Sequence, residues 1–229
     1  MDRASSLRAL PSRITARDGR ARPEELVESY RRLADVFHHV LSEQEPEALL
    51  DRVADTLGEL MPCEALIIYE AHEADRRLVP VLARSEYQDE IMSSRAAFGE
   101  GITGWAVEHR TPVWTDAAHL DPRAQTVPGT PVEPEALISV PLIARGQVKG
   151  ALNIYRLGDD ARFLDHEFEL ANWVGDAAAL ALDNAQIRAR LEREAQTDPL
   201  TGLYNHRYFH ERVRSELARA HARTTRSPC

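Results

Sequence analysis

The sequence predicts an α+β fold, a central antiparallel β-sheet flanked by helices, with long helices at both ends of the domain. Three observations carry that prediction. Two pairs of short apolar runs, each joined by a brief polar turn, have the form of β-hairpins. Amphipathic helical patterns precede the first pair and follow the second. Between the pairs lie an irregular segment, a glycine cluster and a proline-rich loop.

The chain has 229 residues, 43% hydrophobic and 28% charged, enough for one full-sized domain with attachments. No run approaches the roughly 18 apolar residues of a membrane span. The arginine-rich N-terminus has no apolar stretch of signal-peptide length behind it, so a soluble, cytoplasmic protein is expected. With only Cys63 and Cys229, a disulfide scaffold and a Cys-rich zinc site are excluded. The net charge of −9 is unevenly spread: +4 over residues 1–22, +4 over 188–229, and −17 over 23–187, where 13 basic residues face 30 acidic ones. So acidic a main domain repels phosphate backbones, and no nucleic-acid partner is expected.

Residues 1–22 hold just Leu7, Leu10 and Ile14 as sizeable apolar side chains, the composition of a disordered basic tail. Pro23 followed by Glu24 and Glu25 marks a helix start, with the acids at the positive end of the dipole. From there Leu26, Tyr30, Leu33, Phe37 and Val40 alternate four- and three-residue spacings, a coiled-coil seam. A second amphipathic helix is expected over 47–61, with Leu49, Val53, Leu57 and Leu60 on one face and Pro62 ending it. The first hairpin follows, over 65–69 and 78–82, with Pro80 suited to an edge. The second pairs 136–143 with 148–155 around Arg145-Gly146-Gln147 and is the strongest hairpin signal in the chain. The Pro-rich loop 121–134 is long enough to suggest a functional or mobile element.

A closing helix is expected over 164–196, with two distinct faces. Ala171, Gly175, Ala178, Leu182 and Ala185 form a stripe of mostly small side chains suited to close packing on a sheet. The other face, Trp173, Ala177, Leu180, Asn184, Ile187 and Leu191, repeats at four and three residues, with a polar Asn that can fix register. That seam predicts a parallel homodimer. The alternative is one helix packed within its own chain on both faces.

The motifs between these elements carry a resemblance. Phe98-Gly99-Glu100-Gly101-Ile102-Thr103-Gly104-Trp105-Ala106-Val107, Thr111 to Asp116, Ser139-Val140-Pro141-Leu142-Ile143 with Gly146, and Gly150-Ala151-Leu152-Asn153 match the GAF sensory domain in order and spacing over 46–187. The resemblance implies a regulatory module that binds a small molecule or mediates dimerisation, and that passes a signal along its terminal helices. Farther on, Asp198-Pro199-Leu200-Thr201-Gly202-Leu203-Tyr204-Asn205-His206-Arg207-Tyr208-Phe209 resembles the opening of a GGDEF domain, the diguanylate cyclase fold that makes cyclic di-GMP from two GTP, with His206 where Arg is usual. The expected layout is a tail over 1–22, a helix over 23–45, the GAF domain over 46–187, a linker helix over 188–197 and the start of a GGDEF domain over 198–229. The GGDEF signature and the acidic metal-binding strand before it are missing from these residues. No two-metal phosphoryl-transfer site can be assembled from them, and these 229 residues are expected not to be an enzyme. An intact parent would be a diguanylate cyclase.

Several chemical lookalikes fail on context. Gly99-Glu100-Gly101-Ile102-Thr103-Gly104 spells G-x-G-x-x-G, but no buried strand precedes it and a hairpin follows. The glycines instead suit positive φ at the start of a short helix. His206 and His210 lie four apart without the Glu of H-E-x-x-H, and adjacent His38 and His39 point apart on a helix, so no metal site is expected. Cys63 reads as a structural thiol rather than a chromophore anchor. Cyclic-nucleotide-binding GAF domains carry an Asn-Lys…Phe…Asp-Glu pattern; here Ile154 follows Asn153 and Leu164-Asp165-His166-Glu167 follows Phe163, which disfavours cyclic AMP or GMP. What remains is a pocket between the sheet and the intervening loops. Tyr87, Ile91, Met92, Phe98, Trp105, Trp114, Ile138 and Tyr155 are its candidate lining, and His119 a candidate ligand-contacting residue; the same aromatics would equally make a filled core. No cofactor is legible. The function expected is sensory control of cyclic di-GMP synthesis through a small ligand, dimerisation or both. A ligand-free dimerisation or partner-docking module is the alternative.

Overall fold

The computed structural model describes residues 46–196 and, beyond them, Leu203, Asn205 and Arg214. The basic tail, the helix expected over 23–45 with its seam, His38, His39, His206, His210 and most of the GGDEF-like stretch lie outside the described residues.

The first described element, α1 (Pro46–Leu60), opens on a proline, whose fixed φ suits a first helical turn. Leu49, Leu50, Val53, Ala54 and Leu57 recur at helical spacing and are all buried. Strands β1 (Ala65–His72) and β2 (Arg77–Arg84) form the first hairpin. The short helix α2 (Gln88–Ser93), a two-residue strand β3 (Ala96–Ala97), helix α3 (Gly101–His109) and strand β4 (Val113–Thr115) follow, and a single 3₁₀ turn spans Ala118–Leu120. The second hairpin joins β5 (Glu135–Ala144) to β6 (Gln147–Leu157), and the chain then enters the 32-residue helix α4 (Asp165–Gln196). Glu167 caps that helix, its carboxylate accepting the Leu164 N–H at 2.8 Å.

The six strands form one antiparallel sheet in the order β3-β2-β1-β6-β5-β4. Strand alternation gives the sheet two apolar faces. One carries Leu66, Ile68, Ile138, Val140, Leu152 and Ile154 and packs with α1 and α4. The other carries Ile67, Tyr69, Leu137 and Ala151 and packs with α2 and α3. Two bulges break the alternation. Ile68 pairs with Leu82 and Tyr69 with Pro80, leaving Val81 as the extra residue; Leu78 and Leu82 therefore fall in opposite layers although four apart. Pro80 sits where β3, which pairs only with Arg77 and Leu78, no longer covers β2, so no ladder hydrogen bond is lost there. In the second hairpin Lys149 is the extra residue, between the Leu142–Gly150 and Ile143–Val148 pairs.

The small-residue stripe of the closing helix lies where expected. Ala171, Ala178 and Leu182 are buried, and a Cβ on Gly175 would come within 2.8 Å of Val140 Cγ1. The opposite face is split. Trp173 is half-buried against the helix-facing core and Ala177 is fully buried within it, so Ala177 is removed from the expected intermolecular seam by packing inside its own chain. Leu180, Asn184 and Leu191 are exposed, Leu180 at 38% and Leu191 at 59%, and Ile187 is half-buried.

Candidate functional site

On the sheet face away from α1 and α4, a cavity of about 360 Å³ opens between the β1–β6 pair and the loop 121–134. Ala65, Ile67, Tyr155 and Leu157 form its floor, Tyr87 and Ile91 one wall, and Gln125, Val127 and Pro131 its cover. The space exists because α2 and α3 cover only part of this face. Residues 121–134 span the remainder without regular structure.

Local bonds hold that cover. The Asp121 carboxylate accepts the Arg123 backbone N–H at 2.8 Å and its guanidinium at 2.9 and 2.7 Å. These hydrogen bonds hold the Asp121 carboxyl below its usual pKa. The same guanidinium lies 4.6 Å over the Trp105 ring, a cation–π contact that ties the loop to α3. Thr130 Oγ1 donates to the Val127 carbonyl at 2.8 Å, and Gly158 N–H to the Pro134 carbonyl at 2.8 Å. His119 Nδ1 accepts the Glu135 N–H at 3.3 Å, which assigns the proton of the neutral ring to Nε2.

The glycine motif positions α3 against this face. Gly99 and Gly101 have φ of +83° and +68°, as expected, and the helix begins at Gly101. Gly104 serves close approach instead: a Cβ there would lie 2.1 Å from the Ala97 carbonyl oxygen. With α3 so placed, Thr103 reaches the sheet. Asn153, fully buried, accepts from Ser139 Oγ at 2.8 Å and donates through Nδ2 to Thr103 Oγ1 at 2.7 Å and to the Tyr155 hydroxyl at 3.0 Å. One amide thus joins β5, β6, α3 and a cavity-lining tyrosine. Burial, with Tyr69 and Glu135 nearby, pushes the Tyr155 phenol well above its ordinary pKa and keeps it a neutral hydroxyl.

Four carboxylates line the cavity, Glu64, Glu86, Glu133 and Glu135, and among the described residues no Lys or Arg does. Burial, and then Glu133, raise the Glu135 carboxyl above its usual range; Glu86, followed by burial, Glu133 and Glu90, raises the Tyr87 phenol. Glu64 is anchored by accepting the Leu157 N–H at 3.0 Å.

Of the residues expected in a pocket, Tyr87, Ile91, His119 and Tyr155 line the cavity. Met92 and Phe98 pack in the neighbouring apolar cluster, and Phe98 lies under the Arg76 guanidinium at 5.3 Å. Trp105 stacks on His109 with ring centroids 4.1 Å apart and supports the loop through Arg123. Trp114 and Ile138 are corrections. Both face the helices, where Trp114 stacks on Phe168 at 5.6 Å and Ile138 is fully buried. These two residues pair across β4 and β5 and share one face, whereas Tyr155 pairs with Leu137, one residue out of phase with Ile138. Sequence reasoning missed the four glutamates and the Asn153 network. The acidic excess was visible, but its convergence required the register.

Cys63 lies between α1 and β1, half-buried and free, its thiol pushed up by burial and by Glu64. It borders a second, open cleft of about 710 Å³ beside α1, where Arg84 is already paired with Asp51 at 2.7 Å and Asp55 at 3.4 Å. On the far side of the sheet, buried Asp183 of α4 meets Lys149 at 2.8 Å and Arg145 at 2.9 Å, so the β5–β6 turn and its bulge clamp the helix. Among the described residues no group of three His, Cys, Asp or Glu side chains is placed to hold a metal ion, and no helix is long and apolar enough to cross a membrane.

Comparison with known proteins agrees with this architecture. The chain is similar to the GAF domain of a phosphoenolpyruvate-protein phosphotransferase (ptsP) from Coxiella burnetii, at 23% identity and TM-score 0.62, covering 72% of this chain and 98% of that one. It is similar to the A. aeolicus nlh2 GAF domain in an inactive state at 17% identity and TM-score 0.58, over 70% and 99% of the two chains. A free methionine-R-sulfoxide reductase from Neisseria meningitidis, in complex with its substrate, matches at 19% identity and TM-score 0.54, over 72% and 96%. At these identities the likeness shows the fold alone. No curated protein matches the chain. A family profile described as GAF domain matches residues 43–183, well over half of the sequence, and the chain therefore belongs to the GAF domain family, whose members are sensory and regulatory modules of signalling proteins.

Proposed function

We propose that this chain is the sensory part of a diguanylate cyclase-type signalling protein, binding a small ligand in the cavity under the 121–134 loop. The observation that carries this reading is that cavity: about 360 Å³, floored by the central strands and lined by tyrosines, of the size ligand sites have. The diguanylate cyclase context rests on the resemblance of 198–209 to a GGDEF opening. These residues themselves catalyse nothing in this reading, and cyclic di-GMP is made by the domain they introduce. The relay is a parallel homodimer along α4, through Leu180, Asn184, Ile187 and Leu191 with Trp173 at its border. Ligand binding shifts the seam and changes how two cyclase domains meet, by no more than the ligand's differential affinity for the two seam states. Exposed Leu180 and Leu191 also favour a second reading, in which dimerisation alone is the function.

Native mass spectrometry of the purified chain tests the cavity. A retained small molecule lost from Ala65→Trp, which fills the floor, is the expected result; an adduct that survives the substitution places the ligand elsewhere. Light scattering tests the seam, which a strict monomer at tens of micromolar contradicts.

A further inference from the structure

Resting on the reading of the cavity as a ligand site, we infer that its ligand is a small organic cation, an aliphatic ammonium compound. The cavity has an apolar body and a one-sided charge. Ala65, Ile67 and Val127 supply aliphatic surface, while Glu86, Glu133 and Glu135 bring carboxylates to the same space. Among the described residues no lysine or arginine lines it, and the nearby cations are engaged elsewhere. Arg123 is held by Asp121 and Trp105; Arg84 is held by Asp51 and Asp55. Arg156 is bound to Glu167 at 3.0 Å and to the Pro62 carbonyl at 2.6 Å, and lies 4.5 Å over the Phe163 ring.

Among the described residues, then, no cation is left to balance these carboxylates. A nucleotide or carboxylic acid would bring a further negative charge beside Glu86, Glu133 and Glu135, a repulsion that the half-buried position of Glu133 and Glu135 leaves only partly screened. A metal ion needs converging ligands, and no three such side chains converge among the described residues. An ammonium group on an aliphatic stem satisfies both features, in a cavity that Tyr87 and Tyr155 also line. Burial, and then the charge of Glu133, raise the Glu135 carboxyl, and a bound cation would offset both.

Three compounds with one carbon skeleton test this: butane-1,4-diamine, butane-1,4-diol and butanedioate, titrated calorimetrically into the full chain at low salt. The diamine is expected to bind at least about tenfold more tightly than the diol, and the dioate not at all. The double variant Glu133→Gln/Glu135→Gln should lose about tenfold in diamine affinity, with diol binding unchanged. Glu86→Gln serves in its place if the double variant does not give the wild-type circular dichroism spectrum. Ala65→Trp should abolish diamine binding, which separates the cavity from attraction to the acidic surface. Equal affinity for diamine and diol, no diamine binding at millimolar concentration, or indifference to the glutamate substitutions overturns the proposal. Dioate binding that Ala65→Trp removes overturns the cation class while leaving the cavity as a ligand site. Diamine binding that survives Ala65→Trp overturns the cavity assignment itself.

Discussion

Replacing Asn153 with alanine removes a side chain that ties two central strands to α3 and to a cavity-lining tyrosine. Three hydrogen bonds go with it: from Ser139 Oγ at 2.8 Å, to Thr103 Oγ1 at 2.7 Å and to the Tyr155 hydroxyl at 3.0 Å. Each is worth about 1 kcal/mol net, and a buried group left without a partner costs about 1–3 kcal/mol. Ser139 is fully buried and bears that cost in full. The Tyr155 hydroxyl, on a buried phenol, loses a partner as well. The sum is a destabilisation of about 3 kcal/mol. In urea, with a slope of about 2 kcal/mol per molar, the unfolding midpoint should fall by about 1.5 M. A double-mutant cycle with Thr103→Val isolates the link to α3, with an expected coupling of about 1 kcal/mol. A midpoint shift below about 0.3 M, or additive effects of the two substitutions, would refute the claim that this amide organises the site.

Other consequences follow from particular residues. Gly104→Ala forces a Cβ to within 2.1 Å of the Ala97 carbonyl and should cost about 1–3 kcal/mol in a thermal melt, whereas Gly58→Ala in α1, with nothing within 4 Å, should stabilise by about 0.4–1 kcal/mol. Because the Asp121 pKa is depressed in the folded chain, its stabilising contribution is complete above its unfolded value of about 3.9 and is lost as pH falls through the lower folded one. Asp121→Asn should therefore lower the melting temperature at pH 7 and make it less sensitive to pH below 4; identical pH profiles would contradict the Asp121–Arg123 clamp. Glu135 has the opposite sign: its raised pKa is a cost to folding above the folded value that protonation lifts, so Glu135→Gln should raise the melting temperature at pH 7 and leave it unchanged in acid. Leu180→Asp should turn the proposed dimer into a monomer by light scattering, since it places a charge where an apolar side chain worth roughly 1.5–3 kcal/mol on full burial is proposed to meet its copy.

Much of the fold was legible because hydrophobic period and turn chemistry are local. Arg145-Gly146 lies between paired Ala144 and Gln147 with φ of 51° and 74°, the tight turn that the flanking apolar runs predict. The small-residue stripe of α4 was readable for the same reason: Gly175 and its alanine neighbours have no other use on a helix that must approach a sheet closely. What escaped depends on register. Trp114 and Ile138 were placed in the pocket because aromatic and apolar content says nothing of which sheet face a residue occupies. The bulge at Val81 reverses the alternation of β2, and that at Lys149 redirects a lysine toward Asp183, 34 positions away; neither leaves a mark in composition. Ala177 shows a further limit. A repeat of four and three residues describes a helix face, and it fits a core inside the chain as well as a partner outside it.

A sensory role for this domain requires that the space beneath residues 121–134 hold a molecule. A high-resolution crystal structure of the chain, purified without unfolding, measures that directly. Electron density for a small non-protein molecule among Tyr87, Tyr155 and Glu135 is the predicted result. Val127 and Pro131 packed down onto Tyr155, with the space closed, would contradict it.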